Sequence, residues 1–258
     1  MSVRRIIPLL TATHRYDKSL STRGRGQGQV IEAPILAYLI EHADGRILYD
    51  VGCDYGKIAD PERRARFYDP SVFVWGVPEM SEEQRLTRHL ARLGLTAADV
   101  DLIFLGHLHF DHAGGLGDVP GPEVHVQRAE LEAAASGADG SVFADEAVAS
   151  PRWRVFDGAY EVAPGISALP SPGHTAGHMS LYLEPARGQT VILCGDAADL
   201  RENLDDEVAP GLCWHDRVDQ ALDSIRQLKR IGRETQARLW PNHDMGFYRS
   251  LPERVELG

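Results

Sequence analysis

Short apolar runs and longer amphipathic segments alternate along the chain, and this pattern predicts a mixed α/β fold. Runs that are rich in β-branched residues and separated by Gly and Asp are typical of strands. The first three are RRIIPLL, APILAYLI and RILYDVG, and the ADG at 43–45 predicts a hairpin between the second and the third. Further strands are predicted in VDLIFLG, EVHVQ, WRVFD, ISALP, SLYLE, TVILCGD and RLW.

Helices are predicted where apolar residues recur at helical spacing. Ser81 and Gln84 fit a capping box in front of one such helix, for which Gly94 is the expected stop. Two more helices are predicted in RAELEAAAS and DRVDQALDSIRQLKRI. Residues 52–80 have no clear period and predict a long irregular loop. Because no repeat or linker interrupts this order, we expect residues 1–258 to form one domain with two sheets and outer helices.

Composition and charge narrow the classes of partner. The 258 residues are 43% hydrophobic and 25% charged, as in ordinary globular proteins. The 27 basic and 38 acidic residues give a net charge of −11, which argues against nucleic acid as a partner. No apolar run is long enough for a membrane span or a signal sequence, and three widely spaced cysteines form no disulfide framework. We therefore expect a cytoplasmic protein without a membrane partner, and a homo-oligomer or an assembly with a related subunit stays open.

The strongest chemical signal is a histidine-rich stretch directly after the predicted strand VDLIFLG. Residues 106–115 read GHLHFDHAGG, so that His107, His109, Asp111 and His112 fall within six residues. Imidazole and carboxylate groups are good ligands for borderline divalent ions such as zinc. A polar surface loop that happens to be rich in histidine is the alternative. The density of potential ligands favours a metal site.

Three further segments have the same form, in which a polar residue beside Gly or Pro follows a predicted strand. They are SPGHTAGH with His174, the GD pair with Asp196, and PNHD with His243. Strand ends meet at one edge of a sheet, where the sites of layered α/β proteins usually lie. A single histidine in a Pro-Gly turn is more often structural. Together with the histidine-rich stretch, however, the three segments predict one shared site.

The order HxHxDH, His, Asp, His resembles the metallo-β-lactamase superfamily, and the match extends over residues 30–250. The resemblance implies an α/β fold of the αββα sandwich type, with two mixed β-sheets flanked by helices and the metals at one edge. The segments YLIEHADGRILYDVGCDYG, HLHFDHAGG, SPGHTAGHMSLYLE and NHDMGFY are similar to the N-acyl-homoserine lactonases and related small-lactone hydrolases. A hydrolase of a small-molecule lactone is therefore the expected function.

The resemblance also implies roles for individual residues. The seven implied metal ligands are His107, His109, Asp111, His112, His174, Asp196 and His243. One divalent ion would take His107, His109 and His174, and the other would take Asp111, His112 and His243. Asp196 would bridge the two ions beside a hydroxide that attacks the lactone carbonyl, and Asp111 would also pass a proton to the leaving oxygen. Zinc is the expected metal, with iron, manganese and cobalt as alternatives.

Two more aspartates are candidates for supporting or substrate-contacting roles. Asp50, in YDVG, looks like the aspartate that orients a ligand imidazole in this superfamily, and a plain turn carboxylate is the alternative. Asp199 stands three residues after Asp196, where the lactonase group usually has a tyrosine. It faces the substrate or is a solvated loop acid, and we favour the loop acid. Because the tyrosine is replaced, hydrolysis of an aryl ether or another ester on the same metal site is the alternative function.

Other activities on related sites fit the sequence less well. The net charge of −11 opposes a nuclease, and flavodiiron proteins usually have Glu where His109 stands, together with a flavin domain. An iron-dependent persulfide dioxygenase uses fewer metal ligands, and a metal-stabilised binding protein would not need the complete set of seven ligands.

The walls of the substrate site are expected from residues 14–30, 54–80 and 200–215. Their large apolar candidates are Tyr16, Tyr55, Phe67, Phe73, Trp75 and Trp214, while His14 and His178 are expected to be structural.

Overall fold

The computed structural model describes residues 3–137, 143–145 and 152–257. Strands make up two sheets within these residues. They are β1 (Val3–Asp17), β2 (Val30–His42), β3 (Gly45–Tyr49), β4 (Leu102–Phe104), β5 (Glu123–Gln127), β6 (Trp153–Phe156), β7 (Tyr160–Ala163), β8 (Ile166–Pro170), β9 (Met179–Leu183), β10 (Val191–Leu193), β11 (Arg238–Trp240) and β12 (Val255–Glu256).

The α-helices lie on the outer faces of the sheets or in the connections between strands. They are α1 (Tyr55–Ala59), α2 (Pro61–Phe67), α3 (Leu86–Arg92), α4 (Phe110–Ala113), α5 (Arg128–Ser136), α6 (Arg201–Asp205), α7 (Val218–Thr235) and α8 (Met245–Ser250). None of the helices in the described ranges is long and apolar enough to cross a bilayer.

Both sheets are mixed, as the resemblance implied. The first has the order β12-β1-β2-β3-β4-β5-β6, and it is antiparallel from β12 to β3 and parallel from β3 to β6. The second has the order β11-β10-β9-β8-β7, and its one parallel pair joins β10 and β11. Together with the helices on the outer faces, these sheets confirm the predicted αββα sandwich.

Strand β2 shows why the two sheets pack face to face. Successive side chains of a strand point to opposite faces of the sheet. Leu36, Tyr38 and Ile40 accordingly face the second sheet, where they pack in one apolar cluster with Leu181 and Trp240. Ala37 and Leu39 point the other way, into the layer that α3 and α5 cover. Because both faces of β2 are buried, the sequence APILAYLI is almost continuously apolar.

The outer helices pack through the stripes that the sequence indicated. Leu86 and Leu90 of α3 are buried against the first sheet, and Ile225 and Leu228 of α7 are buried against the second. The capping box is present, because the Ser81 backbone N–H donates to Gln84 Oε1 at 2.9 Å. It caps a short 3₁₀ turn, however, and the α-helix begins only after an extended Arg85. The hairpin between β2 and β3 is confirmed.

The prediction of an irregular loop over residues 52–80 was wrong in part, because α1 and α2 lie there. Asp54 accepts hydrogen bonds from the first backbone N–H groups of α1, and Asp60 does the same for α2, where Pro61 occupies the first position. These caps stabilise two helices that are too short to show a period. The sequence Asp-Pro at 60–61 was the available signal. Helix α8 and strand β12, at the end of the chain, were also not predicted.

Candidate metal centre

The histidine-rich stretch lies at the carboxyl end of β4. His109 is the N-cap residue of α4, and this short helix carries Asp111 and His112 on its first turn. The loop that follows β3 supports it closely, because Gly115 donates its N–H to the Gly52 carbonyl at 2.9 Å. A Cβ at position 115 would collide with the Val51 carbonyl oxygen, so only glycine allows this approach. The loop after β3 and the ligand helix are therefore held as one unit.

The remaining candidates come from the second sheet, each from the end of a strand. His174 follows β8, Asp196 follows β10 and His243 follows β11. Gly195 has a φ of +55°, and a Cβ there would collide with the side chains of Tyr49 and His178. The glycine therefore lets the Asp196 turn lie against both sheets. The expected convergence of strand ends is present, but it joins the ends of two sheets rather than one.

The ligand atoms form overlapping groups around Asp196. Within the described residues, the sets whose potential ligand atoms lie within 4.8 Å of one another are His107–His109–His174, His107–His112–Asp196, Asp111–His112–His243 and Asp196–Asp199–His243. Oδ1 of Asp196 lies 3.3 Å from His112 Nε2 and 3.2 Å from His243 Nε2. Its other oxygen, Oδ2, lies 3.4 Å from His174 Nε2. His243 Nε2 is also 3.3 Å from Oδ2, so His243 contacts both oxygens, whereas His112 lies on the side of Oδ1 and His174 on the side of Oδ2. A carboxylate placed in this way can bridge two ions.

Buried atoms without hydrogen-bond partners test whether this cluster fits metal ions. Both ring nitrogens of His107 and the Nε2 atoms of His109 and His112 are buried and unpartnered. An unsatisfied buried polar atom costs about 1–3 kcal/mol, so several in one place need a common partner. Burial lowers the pKa of His107 and of His109 well below the ordinary value, which keeps both imidazoles in the neutral, metal-binding form. The donor set therefore fits divalent cations.

Groups behind the cluster fix the orientation of the imidazoles. Asp50 Oδ2 accepts a hydrogen bond from His112 Nδ1 at 2.7 Å, and its Oδ1 accepts the Gly106 N–H at 2.8 Å. Asp50 is 1% exposed and has a φ of +59°, so it is not a plain turn carboxylate. On the other side, His243 Nδ1 donates to the Pro34 carbonyl at 2.8 Å. In each case the opposite ring nitrogen is directed into the cluster.

Two further residues hold the loops in place. His178 Nε2 accepts the backbone N–H of Asp196 at 2.9 Å, and burial lowers the pKa of His178 to about 3, so the ring is a neutral hydrogen-bonding group, as the sequence predicted. Glu130 was missed. Its buried carboxylate accepts the N–H of Leu108 at 3.1 Å and that of Gly177 at 2.8 Å, and so joins the two histidine loops. AELEAAA contains both Glu130 and Glu132, and nothing in the sequence indicated which of them is buried.

Asp199 is where the structure overturns the sequence interpretation. We favoured a solvated loop acid, but the residue is 5% exposed and lies at the floor of the cavity beside the cluster. Burial and the nearby Asp196 raise the pKa of Asp199 to about 8. A hydrogen bond from the Ser21 hydroxyl partly opposes this shift. Ser21 belongs to the segment after β1, within residues 14–30, which the sequence predicted as a wall of the site, but the sequence did not indicate its contact with Asp199.

A cavity of about 230 Å³ opens onto the cluster. Its mouth is apolar, and Leu20, Val72, Phe73, Val74, Trp75 and Leu212 form this wall. Of the six expected aromatic residues, Tyr16, Phe73 and Trp75 line the cavity and the other three do not. Phe67 packs edge-on against Phe110, Trp214 packs against Phe143, and Tyr55 lies under Arg85. His14 was expected to be merely structural, but it lines the cavity while hydrogen-bonding to the Gly76 carbonyl.

Comparison with known proteins decides the family. The model of the metallo-beta-lactamase superfamily matches residues 30–243, which is most of the chain and includes all seven candidate ligands. The chain belongs to the metallo-β-lactamase superfamily. Its fold and its donor set agree with this membership.

Similar members of the superfamily include several lactonases. N-acyl homoserine lactonase AiiA of Bacillus thuringiensis subsp. kurstaki is 31% identical over 246 residues, or 95% of each chain. An N-acyl homoserine lactonase of a Bacillus species is 34% identical over 219 residues, or 84% of each. A solved structure of N-acyl homoserine lactone hydrolase, with the product N-hexanoyl-L-homoserine at the catalytic metal center, has a TM-score of 0.86 at 30% identity and covers 98% of both chains. This metallo-β-lactamase superfamily chain is therefore a metal-dependent hydrolase.

Proposed function

We propose that the protein is a dinuclear metal-dependent hydrolase, formed by residues 1–258 as one domain, that opens small lactones of the N-acyl-homoserine lactone class. The observation that carries this proposal is the position of Asp196 between two sets of histidines, at the floor of a cavity with an apolar mouth. Similarity to lactonases over 95% of the chain supports the choice of substrate class.

Seven side chains would hold the two ions. His107, His109 and His174 form one set, and Asp111, His112 and His243 form the other. Asp196 would be shared between them. Zinc is the proposed metal because imidazole predominates, and iron, manganese and cobalt are the alternatives. When bound, two such ions supply Lewis-acid activation of a carbonyl group and of water.

The chain itself would position the substrate and move a proton. Asp111 lines the cavity, and its Oδ2 lies 3.7 Å from His112 Nε2 and 3.9 Å from His243 Nε2. A partly exposed carboxylate at this point can carry a proton to the oxygen that leaves when the ring opens. The apolar mouth would bind an acyl chain and exclude water from the floor. A cytoplasmic location and a small-molecule substrate belong to the same proposal.

A second candidate function is hydrolysis of an aryl ether or another ester on the same site. Asp199 favours it, because this buried acid faces the cavity where a hydroxyl-bearing side chain would suit a lactone carbonyl. A carboxyl group donates a hydrogen bond to a developing oxyanion only while it is protonated, and it is not protonated when it binds a metal ion. A substrate with a better leaving group needs that donor less.

The proposed function predicts metal content and substrate preference together. Purified protein should contain about two transition-metal ions per chain, since two sets of ligands are present. Chelation should abolish turnover and metal addition should restore it. Elemental analysis and a panel of acyl-homoserine lactones, aryl esters and aryl ethers would test this. Full activity with one ion or none would refute the dinuclear proposal, and turnover of aryl substrates alone would favour the second candidate.

The apolar mouth predicts an effect confined to long acyl chains. Trp75 is 42% exposed at the rim, so Trp75→Ala removes apolar contact without opening the core. We expect the KM for a long-chain lactone to rise about 10-fold. The kcat and the KM for a short-chain lactone should remain unchanged. Val30→Ala is the control, because Val30 is similarly exposed but does not line the cavity. An equal rise in KM for both chain lengths would contradict an acyl-binding wall.

A further inference from the structure

One carboxylate in the cluster has no role in the seven-ligand arrangement. Asp199 is only 5% exposed, and its Oδ1 atom has no hydrogen-bond partner. Its carboxylate forms a group with Asp196 and His243 in which the potential ligand atoms lie within 4.8 Å of one another. A buried carboxylate beside another carboxylate is unfavourable unless a cation compensates the charge. The free oxygen is therefore placed to accept either a proton or a bound cation.

Asp199 is held in the same manner as several of the proposed ligands around it. Three of these ligands have one ring nitrogen hydrogen-bonded to an outer partner, so that the other faces the cluster: His112 with Asp50, His243 with the Pro34 carbonyl and His174 with the Leu212 carbonyl. For Asp199 the outer partner is the Ser21 hydroxyl. The Tyr16 hydroxyl in turn lies 2.9 Å from Ser21 Oγ. Carboxylate ligands are typically oriented by such outer hydrogen bonds.

The backbone keeps Asp199 and His243 together. The His243 N–H donates to the Asp199 carbonyl at 2.8 Å, and the Asn242 N–H donates to the Ala198 carbonyl at 3.1 Å. The segment after β10 is therefore fastened to the segment after β11 directly behind the cluster. Because the two side chains leave adjacent, paired backbone positions, their ligand atoms remain on the same side of the site.

We propose that Asp199 is an eighth metal ligand, which completes the coordination of the ion held by Asp111, His112 and His243. The inference rests on the proposed dinuclear site. It increases the difference between the two metal positions. Beside the shared Asp196, one position has three imidazoles, whereas the other has two imidazoles and the carboxylates of Asp111 and Asp199. Oxygen-rich sites suit harder ions such as manganese, whereas imidazole suits zinc. We therefore infer that the second position prefers manganese or iron more strongly than the first.

Asp199→Asn tests this proposal, because it removes the charge and keeps the size of the side chain. With the complete protein, Mn²⁺ and Co²⁺ affinities are measured by competition with a chelator. We expect one of the two Mn²⁺ ions to bind at least about 10-fold more weakly and the Co²⁺ absorption bands to change, since the coordination number falls. Asp244→Asn is the matched control. Asp244 adjoins His243, but its oxygens already accept the N–H groups of Phe247 and Arg201.

The outcomes separate this proposal from the proposed function. Unchanged Mn²⁺ affinity and Co²⁺ absorption in Asp199→Asn would overturn the eighth ligand, whatever the substrate is. A wild-type protein that opens no lactone would overturn the proposed function and leave the affinity comparison valid. In the presence of chelator, Asp199→Asn should melt at or above the wild-type temperature, because a buried carboxylate beside Asp196 is lost. Asp199→Ser, whose side chain is too short to reach an ion, should show the same loss of affinity.

Discussion

Replacing Asp196 with asparagine is expected to lower kcat by at least about 100-fold and to reduce the metal content below about two ions per chain. Changes to the outer partners of metal ligands typically cost about 10–100-fold, and a shared ligand should cost more. The Asp196 carboxylate has one oxygen toward His112 and the other toward His174, and His243 lies close to both. An amide retains one of these oxygens, carries no charge and presents an NH₂ group to the other side.

The measurements are steady-state kinetics and elemental analysis of the same preparation. Asp223→Asn is the control, since this exposed residue of α7 undergoes the same chemical change far from the cluster. Wild-type kcat with full metal content in Asp196→Asn would show that the shared carboxylate is assigned wrongly. A loss of kcat with full metal content would instead assign Asp196 to substrate or proton chemistry.

Asp50→Asn is expected to weaken metal binding or lower kcat/KM by about 10–100-fold, although Asp50 would touch no metal. The two oxygens of Asp50 accept N–H groups from His112 and Gly106. Asparagine has one acceptor, so its NH₂ group must face one of the two donors. His112 then loses its orientation, or Gly106 loses a buried hydrogen bond. Asparagine tolerates the φ of +59° at this position, so the substitution adds no backbone strain that could itself lower activity or metal binding.

Metal affinity, measured by chelator competition, is the decisive measurement for Asp50→Asn. A purely structural effect would lower the melting temperature and leave the metal affinity unchanged. Asp60→Asn provides the comparison, since Asp60 also accepts two N–H groups but caps α2 away from the cluster. Equal metal affinities for Asp50→Asn and wild type would remove Asp50 from the orienting role.

The sequence located the residues of the site because their positions are local. The three histidines of HxHxDH lie on one strand end and one helical turn, so their spacing alone brings them together. His174, Asp196 and His243 each follow a predicted strand beside Gly or Pro. The αββα architecture followed from the resemblance, and the order of the predicted elements indicated two sheets with outer helices. These features need no knowledge of which distant segments touch.

What the sequence could not predict depends on distant contacts. The burial of Asp199 depends on the segment after β1, since Ser21 and Tyr16 reach it only because β1 and β2 pair from Val3 to Asp17. The predicted strand RRIIPLL covered less than half of that length. Backbone carbonyls such as that of Pro34 leave no sequence signal, because every residue has one. Helices α1 and α2 are too short for periodicity to appear.

The candidate ligands come from both sheets, and this division has a consequence for the lifetime of the folded protein. His107, His109 and His112 follow β4 in the first sheet, whereas His174, Asp196 and His243 follow strands of the second. Bound ions would therefore cross-link two halves that are otherwise joined by apolar packing and a small set of hydrogen bonds. The sheets could not separate before an ion dissociated, so the unfolding rate would be limited by metal release. Resistance to proteases would then depend on metal supply, even for cleavage sites far from the cavity.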